Sequence, residues 1–200
     1  FISSDGNLVV AGKDTKTNEE VVKKYMEKGC RYAHADAGGA PSVVVLDDKR
    51  DISEDALKEA CQYAVIHSKE WKRGIAAGRG YWVKPYQVSK TAESGESLPT
   101  GAFVIRGKRN YIDNLPLEVV LAEIEYKGNK KIMCAPSYAL ENRDKDEIKR
   151  YVKFIPGNEN LNDFAKDMSK FFNVPVKEIQ KILPPGDIKI IKKVEKEKND

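Results

Sequence analysis

The chain is poor in the residues that build cross-linked or metal-held scaffolds: among 200 residues there are three cysteines and two histidines. Cys30, Cys61 and Cys134 are an odd number at wide spacing, with no CxxC pair. That excludes a small disulfide framework and gives no zinc spacing, so reduced, largely buried thiols in a cytoplasmic protein are expected. No apolar run approaches the ~20 residues that span a bilayer. Neither sign of charge dominates, since 35 Lys and Arg stand against 31 Asp and Glu for a net charge of +4. A balance this mild excludes a histone-like polycation and shifts the question to where the basic groups cluster. Walker and Rossmann glycine spacings are missing, and so is a G-x-S-x-G turn. An initiator Met is missing too. The chain opens at Phe1 in what already reads as a strand, so a piece of a longer protein is expected and absent targeting signals exclude nothing.

What is there suits one domain, or one domain with a small module. Residues 8–12 read as a short strand pairing with Phe1 and Ile2 across the turn Ser4-Asp5-Gly6. Thr17 is expected to cap a helix, with Glu20 reaching back, Val21, Val22, Tyr25 and Met26 on its apolar side, and Gly29 at its end. Strands follow at 31–35 and 42–46. The unbroken run Val43-Val44-Val45-Leu46 predicts a strand buried on both faces. Ser53 is expected to cap a second helix with the stripe Ala56, Leu57, Ala60, Cys61, Ala64 and Val65, stopped at Gly74. Short strands at 81–83, 87–89 and 103–106 complete a strand-helix-strand-strand-helix-strand order. That order predicts an α+β (α/β-like) fold with two main helices on one mixed β-sheet.

Past residue 113 the pattern changes. Strands are predicted at 117–126 and 130–135 around Lys127-Gly128-Asn129, and again at 151–155. An amphipathic helix follows over 161–172, capped by Asn160, then a short helix from Pro175 and a last strand at Ile188, Ile190 and Ile191. The division is therefore 1–113 and a smaller C-terminal α+β extension, 114–200, whose charged tail is expected to fray from Lys192.

One segment carries the functional signal. From Lys69 to Lys90 stand Lys69, Lys72, Arg73, Arg79, Lys84 and Lys90 against the single acid Glu70, interleaved with Trp71, Tyr81, Trp82 and Tyr86. A second cluster, Arg106, Lys108 and Arg109, surrounds Gly107. Lys and Arg neutralise phosphates and release counterions, and aromatic faces stack on unpaired bases. The same composition also describes core aromatics with a solvated rim. In the polar loop 91–101, Glu93 and Glu96 argue against phosphate contact. His34, Asp36 and Ser42 raise the question of a hydrolytic site. Against it, His34 and Asp36 suit a loop-holding role before a buried strand, or a direct RNA contact, and no nucleophile–base pair is singled out.

Short motifs sharpen this reading. Phe1-Ile2-Ser3-Ser4-Asp5-Gly6, Ala11-Gly12-Lys13-Asp14, Asn18-Glu19, His34-Ala35-Asp36 and Gly39-Ala40-Pro41-Ser42 resemble the NFACT-R domain. So do Ser68-Lys69 through Trp71, Tyr81-Trp82-Val83, Gln87-Val88-Ser89-Lys90-Thr91-Ala92, Ser94-Gly95-Glu96, Leu98-Pro99-Thr100-Gly101 and Ile105-Arg106-Gly107-Lys108. Together they cover roughly residues 1–112 in the family's order, and the remainder resembles the extension of archaeal members. The resemblance implies an RNA-binding domain of a ribosome-associated quality control factor. Such factors bind large ribosomal subunits stalled with a peptidyl-tRNA, recruit tRNA and support template-free extension of the nascent chain. The family's tRNA-handling Asp-Arg pair belongs to an N-terminal domain outside this sequence. Gly38 stands where the family often has a second His, so whatever that His does is missing here.

The expected partners are RNA (tRNA or large-subunit rRNA), the large ribosomal subunit and neighbouring domains of a parent chain, with no membrane, metal, cofactor or catalytic residue. The RNA-binding candidates are Lys69, Lys72, Arg73, Arg79, Tyr81, Trp82, Lys84, Lys90, Arg106, Lys108 and Arg109, with His34 and Asp36 as loop contacts. Two alternatives remain: a protein-interaction scaffold using the 161–172 helix, which an exposed Phe171-Phe172 patch favours, and a metal-dependent nuclease or other hydrolase built on His34 and Asp36.

Overall fold

Alternation and capping place the elements. In chain order they are β1 (Val9–Ala11), α1 (Thr15–Tyr25), β2 (Arg31–Ala35), β3 (Val43–Val45), α2 (Glu54–Ile66), α3 (Glu70–Arg73), β4 (Ala77–Val83), β5 (Val88–Ser89) and β6 (Val104–Ile105). Then come β7 (Asn110–Pro116), β8 (Val119–Tyr126), β9 (Asn129–Pro136), α4 (Ser137–Glu141), β10 (Arg150–Glu159), α5 (Leu161–Phe172), α6 (Val176–Gln180) and β11 (Ile188–Glu195). The computed structural model describes residues 1–47, 51–92, 94–95, 97–144 and 147–196. Glu93 and Glu96, on which part of the loop reading rested, lie outside the described residues.

The class is α+β, as expected. A five-stranded sheet runs β1-β3-β2-β4-β7, a four-stranded sheet runs β11-β10-β8-β9, and β5-β6 form a small ribbon. Among the described residues every strand pairing is antiparallel, and the strand order places non-consecutive strands side by side. The valines of β3 are wholly buried, which is the two-sided burial that their unbroken run predicted.

Among the boundaries that differ from the sequence reading are those of α1, α2 and the tail. Asp14, not Thr17, caps α1: its carboxylate accepts from Thr17 N at 2.8 Å, while Thr17 Oγ1 accepts from Asp14 N at 3.0 Å. A carboxylate is the stronger acceptor, so the capping box closes one turn early. Ser53 caps α2 as expected, but α2 ends at Ile66 rather than Gly74. There the Ser68 hydroxyl donates to Val65 O at 2.6 Å and accepts from Glu70 N at 3.2 Å, which starts the separate turn α3. The tail also departs from expectation: β11 continues through Lys192, Lys193 and Val194 to Glu195, paired with β10 back to Arg150.

The two sheets share one core. Trp71 is 1% exposed and packs edge-on against Phe154 at 6.0 Å, while its Nε1–H donates to the carbonyls of Gly186 and Asp187 at 3.2 and 3.0 Å. Gln62, on α2, donates to Pro116 O and Ser137 Oγ and accepts from Tyr138 N. Phe164, Ala165, Met168 and Phe172 of α5 complete this core from the far side. All three cysteines are buried and free, and no described helix is long and apolar enough to cross a membrane.

Candidate nucleic-acid interface

The basic residues do not form one stripe. The fold sorts them into three places, and the sorting follows strand alternation. On β4, a Cβ at Gly80 would lie 3.0 Å from Cys61 Cβ, so the Gly78 and Gly80 positions face α2. Arg79 and Tyr81 therefore point to the opposite face. In register across three strands, His34 pairs with Tyr81 and Tyr81 with Tyr111. Their rings form a row, with centroids 5.9 Å apart for His34–Tyr81 and 5.7 Å for Tyr81–Tyr111.

Two arginines lie on this row. The Arg79 guanidinium sits 3.6 Å over the Tyr111 ring, and that of Arg109 sits 4.8 Å over Tyr81. Arg79 is also paired with two acids, Asp36 at 3.7 Å and Asp113 at 3.0 Å. A hydrogen bond with Tyr111 raises the pKa of Arg109 further above its already high ordinary value. Burial lowers the pKa of His34, so its ring is neutral near pH 7. Its Nδ1 lies 2.7 Å from Ala35 O; a carbonyl only accepts, so Nδ1 carries the proton.

The second place is a groove of about 500 Å³ where the end of β4 meets the loop before β7. Trp82, Lys84, Tyr86, Gln87, Arg106, Gly107, Lys108 and Asn110 line it, and none of these is acidic. Tyr86 is 80% exposed, an unusual position for an aromatic ring. Gln87 builds the walls: its Oε1 accepts from Lys84 N at 3.0 Å, and its Nε2 donates to Arg106 O and Lys108 O at 2.9 and 2.8 Å. Between those carbonyls Gly107 takes φ +75°, a left-handed turn that glycine adopts without strain.

The third place is α3. Lys72 and Arg73 are exposed there, with Arg73 paired to Glu70 at 2.8 Å. The Lys69 amide donates to Gly38 O at 3.0 Å, and its side chain lies along Gly39. Trp71, from the middle of the same basic run, is core and offers no face to a ligand.

Lys90 belongs to none of these places. Its ammonium group donates to Glu19 Oε2 at 2.7 Å and to the carbonyls of Pro99 and Ala102 at 2.9 Å each. It pins the 90–102 loop to α1. The sequence reading names Tyr86 only among the interleaved aromatics of the basic segment, and does not single out Gln87, Asn110, Tyr111 and Asp113 as site residues. Alternation within Arg109-Asn110-Tyr111-Ile112-Asp113 was the signal that pointed to the last two.

His34, Asp36 and Ser42 do not assemble into a catalytic array. Ser42 Oγ lies 2.9 Å from the buried Tyr32 hydroxyl, His34 bonds the backbone and Asp36 pairs with Arg79. Among the described residues no group of three His, Cys, Asp or Glu stands ready for a metal. Phe172 is fully buried and Phe171 half-buried, the latter beneath Arg150 and Lys193, so the α5 face belongs to the core.

Comparison with known proteins defines the class. Residues 1–107 match the family described as NFACT protein RNA binding domain, and the chain belongs to that family. It is 42% identical over 195 residues to the archaeal Rqc2 homolog aRqcH of Methanocaldococcus jannaschii, covering 94% of this chain and 28% of that protein. The human ribosome quality control complex subunit NEMF matches over 113 residues at 42% identity, 56% of this chain and 10% of its own length. The ribosome quality control complex subunit 2 of Schizosaccharomyces pombe is 32% identical over 180 residues, 84% of this chain and 17% of its own length. The chain thus spans less than a third of each of these relatives.

Proposed function

We propose that this chain binds RNA through the groove between Trp82, Lys84, Tyr86, Arg106 and Lys108. It would do so as the RNA-contacting part of a ribosome quality control factor, meeting tRNA or large-subunit rRNA on stalled large subunits. One observation carries the proposal: Lys84, Lys108 and two aromatic rings converge on a surface with no acidic residue among its described lining residues. Phosphates supply the counter-charge for such a surface and unpaired bases stack on its rings. On this reading residues 1–113 hold the RNA-facing surface and 114–200 buttress the core beneath it. Arg79 and Arg109 contribute from the adjoining sheet face, while Lys69, Lys72 and Arg73 form a separate rim.

The test uses the groove's own fluorophore. Titrating single-stranded RNA into a Trp71→Phe variant, which leaves Trp82 as the reporter, should quench emission. Tyr86→Ala should weaken binding by about 1–3 kcal/mol, the usual worth of a base–aromatic stack. Unchanged emission together with an unchanged affinity in Tyr86→Ala would sink the groove assignment.

A further inference from the structure

A second cleft, of about 460 Å³, opens where the first sheet meets the chain between α6 and β11. The loop leading into α1, the turn between β2 and β3 and the end of α2 line it from one side, and residues 181–185 from the other. Its size lies within the roughly 300–1,000 Å³ of small-molecule sites, which favour junctions between structural units. Among the described residues it shares no lining with the Trp82–Lys84–Tyr86 groove. Three features of the lining restrict the ligand. First, Lys13 and Lys181 line it, and neither ammonium makes an ion pair or a hydrogen bond among the described residues. Asp14 is the one acid in the described lining, and Thr17 N and Oγ1 already engage its carboxylate at 2.8 Å each. Second, Tyr63, Ile182 and Leu183 give an apolar wall, and the His67 ring stacks on Tyr63 with centroids 4.1 Å apart. Burial lowers the His67 pKa to about 3, so the wall carries no charge near pH 7. Third, Asn18 Oδ1 accepts from Ser42 N at 3.1 Å and is pressed against Gly12, where an added Cβ would collide with it. The amide NH₂ of Asn18 is the end left to donate.

We propose that this cleft binds a nucleotide, with its base against the wall of Tyr63, Ile182 and Leu183 and its phosphate on Lys13 and Lys181. An uncharged apolar wall beside two unpaired cations calls for a ligand that is apolar at one end and anionic at the other. Inorganic phosphate or a sugar phosphate leaves the wall without a partner, and a nucleoside leaves the lysines without one. Asn18 adds a donor for an acceptor on the nucleoside. A free nucleoside monophosphate and the terminal nucleotide of an RNA strand offer the same chemistry. The site stands apart from the RNA groove and does not depend on it.

The experiment titrates the full chain with AMP, GMP, CMP and UMP and follows its imidazole NMR signals. Two histidines are present: His67 lines the cleft and reports on it, and His34 does not and serves as the control. Binding should shift the His67 signals and leave those of His34 in place. The nucleoside of the best ligand, and ribose 5-phosphate, should each bind at least about tenfold more weakly than the nucleotide. Lys13→Ala/Lys181→Ala, at two exposed positions, should weaken the nucleotide about tenfold and leave the nucleoside unaffected. A short oligouridylate ending in the preferred nucleotide separates the two sources. Tighter binding than the free nucleotide, with the same His67 shift, assigns the cleft to a strand end; a His67 response to the free nucleotide alone assigns it to the small molecule. Tyr86→Ala should leave nucleotide binding unchanged, so failure of the RNA groove and failure of this site are told apart. No His67 shift with any of these ligands at millimolar concentration overturns the proposal. Ribose 5-phosphate binding as tightly as the nucleotide overturns it too, by reducing the cleft to an anion spot.

Discussion

Gln87 is 7% exposed, and its amide is committed wholly to backbone: one N–H of Lys84 and two carbonyls, those of Arg106 and Lys108. It ties together the two stretches of chain that carry the groove's cations, so a neutral side chain sets the spacing of charged ones. Gln87→Ala leaves these backbone groups unpaired, at about 1–3 kcal/mol for each that water does not reach. A lower melting temperature and weaker RNA binding are expected together; a variant with wild-type values for both would remove Gln87 from the account. Residue identity was legible where chemistry is local, as with the cap Ser53 or the valines of β3. It was misleading at Trp71, which sits among Glu70, Lys72 and Arg73. A helix of one turn has too little periodicity to show that its tryptophan faces inward, and only the contact with Phe154 reveals it.

At the scale of elements, the 90–102 loop is secured to α1 by one carboxylate. Glu19 accepts from Lys90 Nζ and from Gly101 N, each at 2.7 Å, and pairs with Lys23 at 3.3 Å. The bond from Lys90, then that from Gly101, holds its carboxyl at about 2, below the ordinary 4.5. The folded value is depressed, so the latch contributes fully above pH 4.5 and is lost as pH falls through about 2. Protection of the Gly101 amide against hydrogen exchange should therefore drop across that window, ahead of the β4 amides. Glu19→Gln should show the loosened loop already at neutral pH. Equal protection of Gly101 in variant and wild type would contradict the latch. Sequence alone could not assign Lys90 this role, because its partners lie 71 residues upstream and 9 and 12 residues downstream. The strand β7 also escaped the sequence reading: its alternation is interrupted by Asn114 at φ +55° and the strand closes on Pro116, both unusual for a strand.

Across the whole molecule, the C-terminal sheet and α5 act as a buttress. Trp71, Gln62 and the apolar side of α2 turn toward them, and β7 leads directly into β8. The buttress covers the α2 side of the first sheet and leaves the face of Arg79 and Tyr81 open. The α+β class and most elements were readable from periodicity and caps. The partition of one basic run into a groove, an arginine–tyrosine row, a loop pin and a rim was not, because it depends on which face each strand residue takes and on distant partners. That partition makes the central claim testable by a salt titration of RNA binding. Each phosphate contact contributes about 0.7–0.9 to the slope of log affinity against log salt. The measurement compares wild type with Lys84→Ala/Lys108→Ala and with Lys72→Ala/Arg73→Ala. The account predicts that the groove pair lowers the slope by about 1.4–1.8 while the α3 pair leaves it nearly unchanged. A slope that survives intact in the groove variant, or RNA binding indifferent to salt, would contradict it.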